Sequence, residues 1–233
     1  MTSPIILAVD TRDFDTARSW ISATQEHVGV YKLGLEFFLT FGAEGVNKIK
    51  NEFNVDIFLD LKLHDIPNTV ASAAKAISAI NPRFLTVHAS GGHAMIAAAV
   101  AAVPQIDITA VTILTSLSED DLFQIGFAQS AMESVVALAD LSVRAGAKAI
   151  VSSPLEIEAI RSAVGEKPTI ITPGVRPAGS AGSDDQVRTM TPRQAITAGA
   201  NFVVIGRPIT GAWSEGSEAM TSRAKAILEE IAG

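Results

Sequence analysis

Eight short runs of apolar residues recur along the chain, and amphipathic stretches separate them. Most of the runs are rich in β-branched residues and nearly continuous, so apolar and polar positions do not alternate within them. Continuous apolar runs are expected of parallel β-strands that are covered on both faces. The pattern therefore predicts a parallel sheet whose strands lie within Ile5–Val9, Val28–Leu33, Ile57–Leu61, Phe84–Val87, Ile106–Leu114, Ala149–Val151, Thr169–Ile171 and Phe202–Ile205.

The stretches between the runs show helical spacing. Asp13 can cap the first helix, and a short acidic turn at Ser118–Asp121 precedes the fifth. Eight strand-then-helix units without a linker predict a (β/α)8 TIM barrel of the α/β class, with residues 1–233 forming a single domain. A doubly wound sheet is the competing architecture. It is disfavoured because Ala8-Val-Asp-Thr-Arg12 stands where a dinucleotide-binding Gly-x-Gly-x-x-Gly would follow the first strand.

Composition narrows the class of protein. The net charge of −7 argues against a nucleic-acid partner, because such proteins usually carry a basic face. The chain has no cysteine, which excludes disulfides and suits a reducing compartment. The N-terminus lacks the basic region of a signal peptide, and the most apolar stretch, Ala94–Val103, is shorter than the roughly 20 residues that span a bilayer. We therefore expect a cytoplasmic protein with no membrane partner.

The segment Asp60–Thr69, with the sequence DLKLHDIPNT, carries the strongest chemical signal. Asp60 and Lys62 are two residues apart at the end of a predicted strand, so they would share a face. Asp65 would follow in the turn, and Pro67 suits the first turn of a helix. Charges at the end of a buried strand are costly unless they are paired or used.

Two further charges, Asp10 and Lys32, lie at or near the ends of the first two strands. Active sites of TIM barrels lie at the C-terminal ends of the strands. Five charges of alternating sign at that end favour a catalytic site over a structural ion-pair network. The members of the predicted array are Asp10, Lys32, Asp60, Lys62 and Asp65.

A second cluster suggests a phosphate site. TPGVRP at residues 172–177 follows the seventh strand, and VIGRP at residues 204–208 follows the eighth. The loops after these strands form the usual phosphate site of TIM barrels, where Arg176 and Arg207 can grip an anion and Gly206 lets the backbone approach it. The polar loop Arg176–Thr189 has the length expected of a lid or a binding loop.

The histidines and serines give weaker evidence for a functional site. His88 ends the fourth strand, and a site role and a structural role remain equally open. The histidines lack metal-ligand spacing, and Lys62 beside Asp60 would repel a divalent cation, so we expect no metal. Ser153 and Ser183 lack a plausible His–Asp arrangement, which disfavours serine nucleophile chemistry.

Taken together, these motifs resemble the orotidine 5′-phosphate decarboxylase family over essentially the whole chain. The segments that carry the resemblance are Leu7–Asp10, Tyr31–Gly34, Asp60–Thr69, Val87–Gly92, Thr112–Ser116, Thr172–Pro177 and Val204–Pro208. The Asp-x-Lys-x-x-Asp core is shared with a wider superfamily, whereas its extension to Asp-Ile-Pro-Asn-Thr is more specific. The resemblance implies conversion of orotidine 5′-monophosphate to uridine 5′-monophosphate and CO2, the last step of de novo UMP synthesis, without a cofactor.

The resemblance also implies roles for individual residues. Lys62 would donate a proton to C6, held by Asp60 and Lys32, and Asp65 would complete the catalytic array. A homodimer is implied, in which Asp65 and Thr69 reach into the partner's site. Substrate contacts are implied for ribose (Asp10, Lys32), for the pyrimidine (Thr115, Ser116) and for the phosphate side (Arg176, Gln186, Gly206, Arg207).

Two alternatives remain in view. The first is a metal-dependent sugar-phosphate decarboxylase or aldolase of the same superfamily. In those enzymes a Glu ligand is expected on the second strand, where this chain has Lys32. The second is a non-catalytic sensor of a phosphorylated ligand, for which the full set of five charges would be costly.

Overall fold

Eight parallel strands close into a barrel in the computed structural model, which describes residues 3–177 and 190–233. Each strand pairs with the next along the chain, and β8 pairs with β1. The predicted (β/α)8 barrel is therefore confirmed, and the doubly wound alternative is wrong. The strands are β1 (Ile5–Ala8), β2 (Val30–Gly34), β3 (Asp56–Leu63), β4 (Phe84–His88), β5 (Asp107–Val111), β6 (Ala149–Val151), β7 (Thr169–Thr172) and β8 (Phe202–Ile205).

Helices follow the strands and cover the outside of the barrel. Asp13 caps the first of them, as predicted, by accepting the backbone N–H of Thr16 at 2.6 Å. The described helices are α1 (Phe14–Thr24), α2 (Leu35–Phe53), α3 (Pro67–Ile77), α4 (Gly92–Ala102), α5 (Glu119–Gln124), α6 (Ala131–Arg144), α7 (Ile157–Val164), α8 (Pro192–Thr197), α9 (Arg207–Thr210) and α10 (Ser217–Ala232).

Two predicted boundaries were wrong. The fifth apolar run was extended to Leu114, whereas β5 ends at Val111 and the chain then leaves the barrel as a loop. The acidic turn at Ser118–Asp121 is in fact the start of α5. Ser118 and Asp121 form a reciprocal capping box, which satisfies free N–H groups of the first turn and so stabilises a short helix there.

The barrel interior decides where the charges can lie. The part of the interior towards the N-terminal ends of the strands is filled by a separate apolar cluster of inward-facing side chains: Ile6, Val30, Phe58, Phe84, Ala149, Ile171 and Phe202. Alternate residues of a strand share a face. The inward file that contains Val30 on β2 continues to Lys32, and the file that contains Phe58 on β3 continues to Asp60. Lys32 and Asp60 therefore lie beyond the apolar layer, towards the C-terminal ends of their strands.

The opposite end of the barrel is closed by Arg83. Its guanidinium carbon lies 5.0 Å from the ring centroids of both Phe84 and Phe202, and it donates to Asp56 at 2.9 Å. Cation–π contacts of this kind are favourable, particularly where water is excluded. Phe84 and Phe202 begin their strands, so Arg83 covers the N-terminal end. Arg83 therefore lies at the opposite end of the barrel from Lys32 and Asp60.

Candidate active site

Four charged side chains form a chain of alternating sign at the C-terminal mouth of the barrel. Lys32 Nζ lies 3.1 Å from Asp10 Oδ1 and 3.8 Å from Asp60 Oδ2. Lys62 Nζ lies 2.7 Å from the same Asp60 oxygen. Four of the five residues predicted to converge are thus brought together, in the order Asp10, Lys32, Asp60, Lys62.

The exposure of these groups rises towards the mouth. The side chains of Asp60 and Lys32 are 12% and 14% exposed, whereas that of Lys62 is 29% exposed. A poorly solvated carboxylate is costly unless it is paired, and Asp60 is paired with two ammonium groups. Lys62 pairs with a single carboxylate, and its side chain is the most exposed of these three. Its ammonium is therefore the group best placed to act on a bound molecule.

The end of β3 is irregular, and this irregularity positions Lys62. Leu59 pairs with Leu85 and Leu63 with Val87, so β3 advances four residues while β4 advances two. Within this bulge Lys62 adopts φ 49°. The left-handed region costs a non-glycine residue about 1–2 kcal/mol. Simple strand alternation therefore does not explain why the Lys62 side chain meets Asp60, because the backbone turns between them.

Thr86 supports the bulge from the neighbouring strand. Its hydroxyl accepts the backbone N–H of Lys62 at 2.8 Å and donates to Asp60 Oδ1 at 3.0 Å. Thr86 is fully buried. The sequence reading missed this residue. The only available signal was that Thr86 lies two residues before His88, on the inward file of β4.

His88 lies above Thr86 on that file and faces the charged array. Its ring lies 5.5 Å from that of His64, centroid to centroid. Burial lowers the pKa of His88, and the nearby His64 and Lys62 lower it further, whereas Asp60 acts in the opposite direction. These effects together favour the neutral form of His88. His88 thus borders the charged array.

Among the described contacts, Asp65 and Thr69 make no ion pair or hydrogen bond with the charged array of their own chain. Both are exposed, and the Asp65 carboxylate accepts the backbone N–H of Ile66 at 2.6 Å. The ion pairs of Lys32 and Lys62 are instead made with Asp10 and Asp60. Asp65 is thus the one member of the predicted five that a single chain does not bring into the cluster.

The other predicted substrate contacts surround the mouth on three further loops. Thr115 and Ser116 are exposed in the loop after β5. Arg176 follows β7, and its backbone N–H donates to Met190 O at 3.0 Å. Gly206 follows β8, and Arg207 is the first residue of α9. Gln186, the segment Ala178–Gln186 and most of the predicted lid lie outside the described residues.

A comparison with known proteins assigns this site to a family. A model of the orotidine 5′-phosphate decarboxylase / HUMPS family matches residues 3–221. The chain belongs to this family. The orotidine 5′-phosphate decarboxylase of Thermobifida fusca is 49% identical over 219 residues, which are 94% of each chain. That of Wolbachia pipientis from Culex pipiens is 45% identical, over 93% of this chain and 96% of the relative.

A solved structure of an orotidine 5′-phosphate decarboxylase supports the same family assignment. The crystal structure of the orotidine 5′-phosphate decarboxylase from Lactobacillus acidophilus superposes with a TM-score of 0.85 and 32% sequence identity. The match covers 99% of this chain and 100% of that one. The chain is therefore a decarboxylase-family TIM barrel over its whole described length, as its motifs predicted.

Within the described ranges, no group of three or more His, Cys, Asp or Glu side chains is arranged to hold a metal ion. None of the helices there combines the length and the hydropathy that crossing a bilayer requires. The charges at the mouth explain why these carboxylates do not form a metal site. An ammonium lies against each carboxylate of the array Asp10, Lys32, Asp60 and Lys62. A divalent cation would meet positive charge at every carboxylate.

Proposed function

We propose that the protein decarboxylates orotidine 5′-monophosphate, with Lys62 as the proton donor to C6 and no cofactor. The observation that carries this proposal is the ammonium of Lys62, held 2.7 Å from Asp60 at the open end of an alternating charge chain. The family and its relatives named as orotidine 5′-phosphate decarboxylases support the overall reaction. The product is uridine 5′-monophosphate, as required for pyrimidine biosynthesis.

The chemistry of the reaction matches this arrangement. When the bond between C6 and the carboxylate breaks, CO2 leaves and the electron pair stays on C6. That pair lies in the ring plane, where the π-system of the pyrimidine cannot delocalise it. A fixed ammonium beside C6 stabilises the developing charge and then supplies the proton. Asp60 and Lys32 keep that ammonium in place.

Substrate binding is divided among the loops around the mouth. Ribose hydroxyls are assigned to Asp10 and Lys32, and the pyrimidine to Thr115 and Ser116. The phosphate is assigned to the loops after β7 and β8, because forked guanidinium groups and glycine backbone N–H groups suit a phosphate. The residues of this phosphate contact are Arg176, Gln186, Gly206 and Arg207. Binding energy from the remote phosphate can lower the barrier at C6.

The metal-dependent branch of the superfamily is the nearest rival. Lys32 stands on β2 where that branch is expected to carry a glutamate, and its ammonium lies 3.1 Å from Asp10. Activity of the purified enzyme in excess EDTA, equal to that without chelator, supports the metal-free mechanism. Activity that disappears on chelation and returns with Mg²⁺ would overturn it.

A direct assay tests the proposed reaction and the role of Lys62. The wild type should remove the absorbance of orotidine 5′-monophosphate, and Lys62→Ala should lose at least about 1,000-fold in kcat, since the transition-state charge loses its ammonium. Lys48→Ala is the control, because Lys48 only pairs with Glu44 on the surface of α2. Near-wild-type turnover by Lys62→Ala would refute the assigned role, and an inactive wild type would refute the reaction.

The assembly and location belong to the same proposal. A homodimer in which Asp65 and Thr69 serve the partner's site is supported by their exposure and by Ile66, which is 66% exposed between them. One domain over residues 1–233 is supported by the family match to residues 3–221. A cytoplasmic location is supported by the absence of cysteine from the sequence.

A further inference from the structure

The hydroxyl of Thr86 joins two groups that the proposed reaction depends on. It accepts the backbone N–H of Lys62 at 2.8 Å and donates its single proton to Asp60 Oδ1 at 3.0 Å. The directions are unambiguous, because an amide N–H can only donate and an ionised carboxylate only accepts. One buried hydroxyl therefore ties the backbone of the proton donor to the side chain of its carboxylate partner.

We propose that Thr86 is a positioning residue for decarboxylation, which holds Lys62 and Asp60 in their reactive geometry through its hydroxyl. The proposal rests on the function proposed above. The Thr86 hydroxyl hydrogen-bonds to the Lys62 backbone and to Asp60, not to the Lys62 ammonium. Its action is indirect. Thr86 fixes which Asp60 oxygen remains for Lys62, since Oδ1 is bonded to Thr86 and Oδ2 to the ammonium.

The bulge in β3 explains why a side chain is needed at this point. Between the pairs Leu59–Leu85 and Leu63–Val87, β3 contains two more residues than β4. Lys62 lies in this stretch with a left-handed backbone, a conformation that persists only where surrounding contacts impose it. The Thr86 hydroxyl supplies such a contact at the Lys62 amide. A methyl group in its place would leave the amide facing an apolar surface.

Thr109 on β5 provides a matched comparison inside the same barrel. It pairs directly with Thr86 in the β4–β5 register, and both residues are fully buried. Its hydroxyl donates to the carbonyl of Asp107 at 3.0 Å, within its own strand. Removing either hydroxyl costs one buried hydrogen-bonding group, but only the change at Thr86 disturbs the charged array.

Steady-state kinetics of three variants test the proposal. For Thr86→Val we expect kcat to fall about 10- to 100-fold with KM changed less than about threefold, because misplacing a reacting group mainly affects the chemical step. Thr86→Ser keeps the hydroxyl and should stay within about threefold of the wild type in kcat, as should Thr109→Val. Thermal unfolding checks that each variant is folded at the assay temperature, and Thr86→Val should have the lower midpoint of the two valine variants because it leaves the Lys62 amide without its acceptor.

The outcomes separate this proposal from the proposed function. If the wild type does not decarboxylate orotidine 5′-monophosphate, the function itself fails. If the wild type is active, the positioning role is overturned by wild-type kcat in Thr86→Val, by an equal loss in Thr109→Val, or by a loss in Thr86→Ser as large as that in Thr86→Val.

A structural readout covers the case in which Thr86→Val folds poorly. Thr86→Ala also lacks the hydroxyl, and the amide hydrogen exchange of Lys62 can be followed by NMR in Thr86→Ala and Thr86→Ser. Because the Lys62 amide donates to the hydroxyl, its exchange should be faster in Thr86→Ala than in Thr86→Ser. Equal exchange rates in the two variants would show that the hydroxyl does not hold this segment.

Discussion

Glu156 and Glu133 occupy the same position in two similar helix-capping motifs, but their pKa values are shifted in opposite directions. Glu156 accepts the backbone N–H of Ser153 at 2.8 Å, and Glu133 accepts that of Ser130 at 3.1 Å. Burial raises the pKa of Glu156 to about 7. Hydrogen bonds from Ser130 lower the pKa of the exposed Glu133. The same short-range motif thus contributes oppositely to the pH dependence of stability.

We predict that Glu156→Gln flattens the pH dependence of unfolding. The folded protein keeps a proton on Glu156 up to about pH 7, whereas the unfolded chain releases it near 4.5. The stability that this proton provides is present at low pH and is lost as the pH rises through 7. Between pH 5 and 8 the wild type should therefore lose about 1–3 kcal/mol more unfolding free energy than the variant, measured in urea.

Glu133→Gln is the control for this experiment. The lowered pKa of Glu133 stabilises the folded state above the unfolded pKa, and this stability is lost as the pH falls. Because this loss begins only below the ordinary glutamate pKa of 4.5, Glu133→Gln should leave the profile between pH 5 and 8 unchanged and should reduce the loss of stability at lower pH. Parallel pH profiles for the wild type and Glu156→Gln would show that the Glu156 carboxyl is not buried as the structure places it.

At the scale of elements, one buried arginine joins α7 to the start of the last two strands. Arg161 donates to Gly199 O at 2.8 and 2.9 Å, to Pro168 O at 2.7 Å and to Asn201 Oδ1 at 2.6 Å. Asn201 Oδ1 in turn accepts the backbone N–H of Ile170 at 2.8 Å. These bonds fix the ends of β7 and β8 opposite to the proposed phosphate loops.

Replacement of this arginine should destabilise the fold without changing its chemistry. We expect Arg161→Met to lower the unfolding free energy by about 2–4 kcal/mol, because several buried acceptors lose their donor. Arg144→Met is the matched control on α6. Arg144 is 68% exposed and pairs with Asp140 at 2.8 Å, so its loss should cost at most about 0.5 kcal/mol. Equal effects in urea unfolding would contradict this assignment.

The elements also show where sequence reasoning succeeds. The eight strands were legible because parallel strands covered on both faces need continuous apolar runs, and Asp13 and Pro67 marked the starts of α1 and α3. The charged mouth was legible because TIM barrels collect functional residues at one end of their strands. These features depend on short-range patterns that one strand or helix carries by itself.

The rest depended on contacts between distant segments. The bulge in β3 arises from its register with β4, so spacing alone placed Lys62 beside Asp60 without its left-handed backbone. Thr86 was missed because its role follows from the same register. The predicted β5 was too long because the apolar residues that follow Val111 belong to a loop. The exclusion of Asp65 from its own array likewise required three-dimensional positions.

At the scale of the whole molecule, large apolar side chains are exposed on segments that follow the C-terminal ends of strands. Leu39 on α2 is 80% exposed, Ile66 before α3 is 66% exposed, and Phe123 in α5 is 78% exposed. Large apolar groups exposed together on one surface typically mark an interaction surface. A second copy packed at this end would bring its Asp65 near the partner's mouth, so catalysis would require assembly.

Mixed dimers test whether Asp65 acts across such an interface. Lys62→Ala and Asp65→Ala should each be inactive alone, and unfolding and refolding an equal mixture should restore about a quarter of the wild-type activity, because half the dimers are hybrids with one intact site. That site combines Lys62 from one chain with Asp65 from the other. If Asp65 serves its own chain, every site in the mixture lacks one group and no activity returns. Light scattering on the wild type must show a dimer, since a monomer that is fully active would contradict the shared site directly.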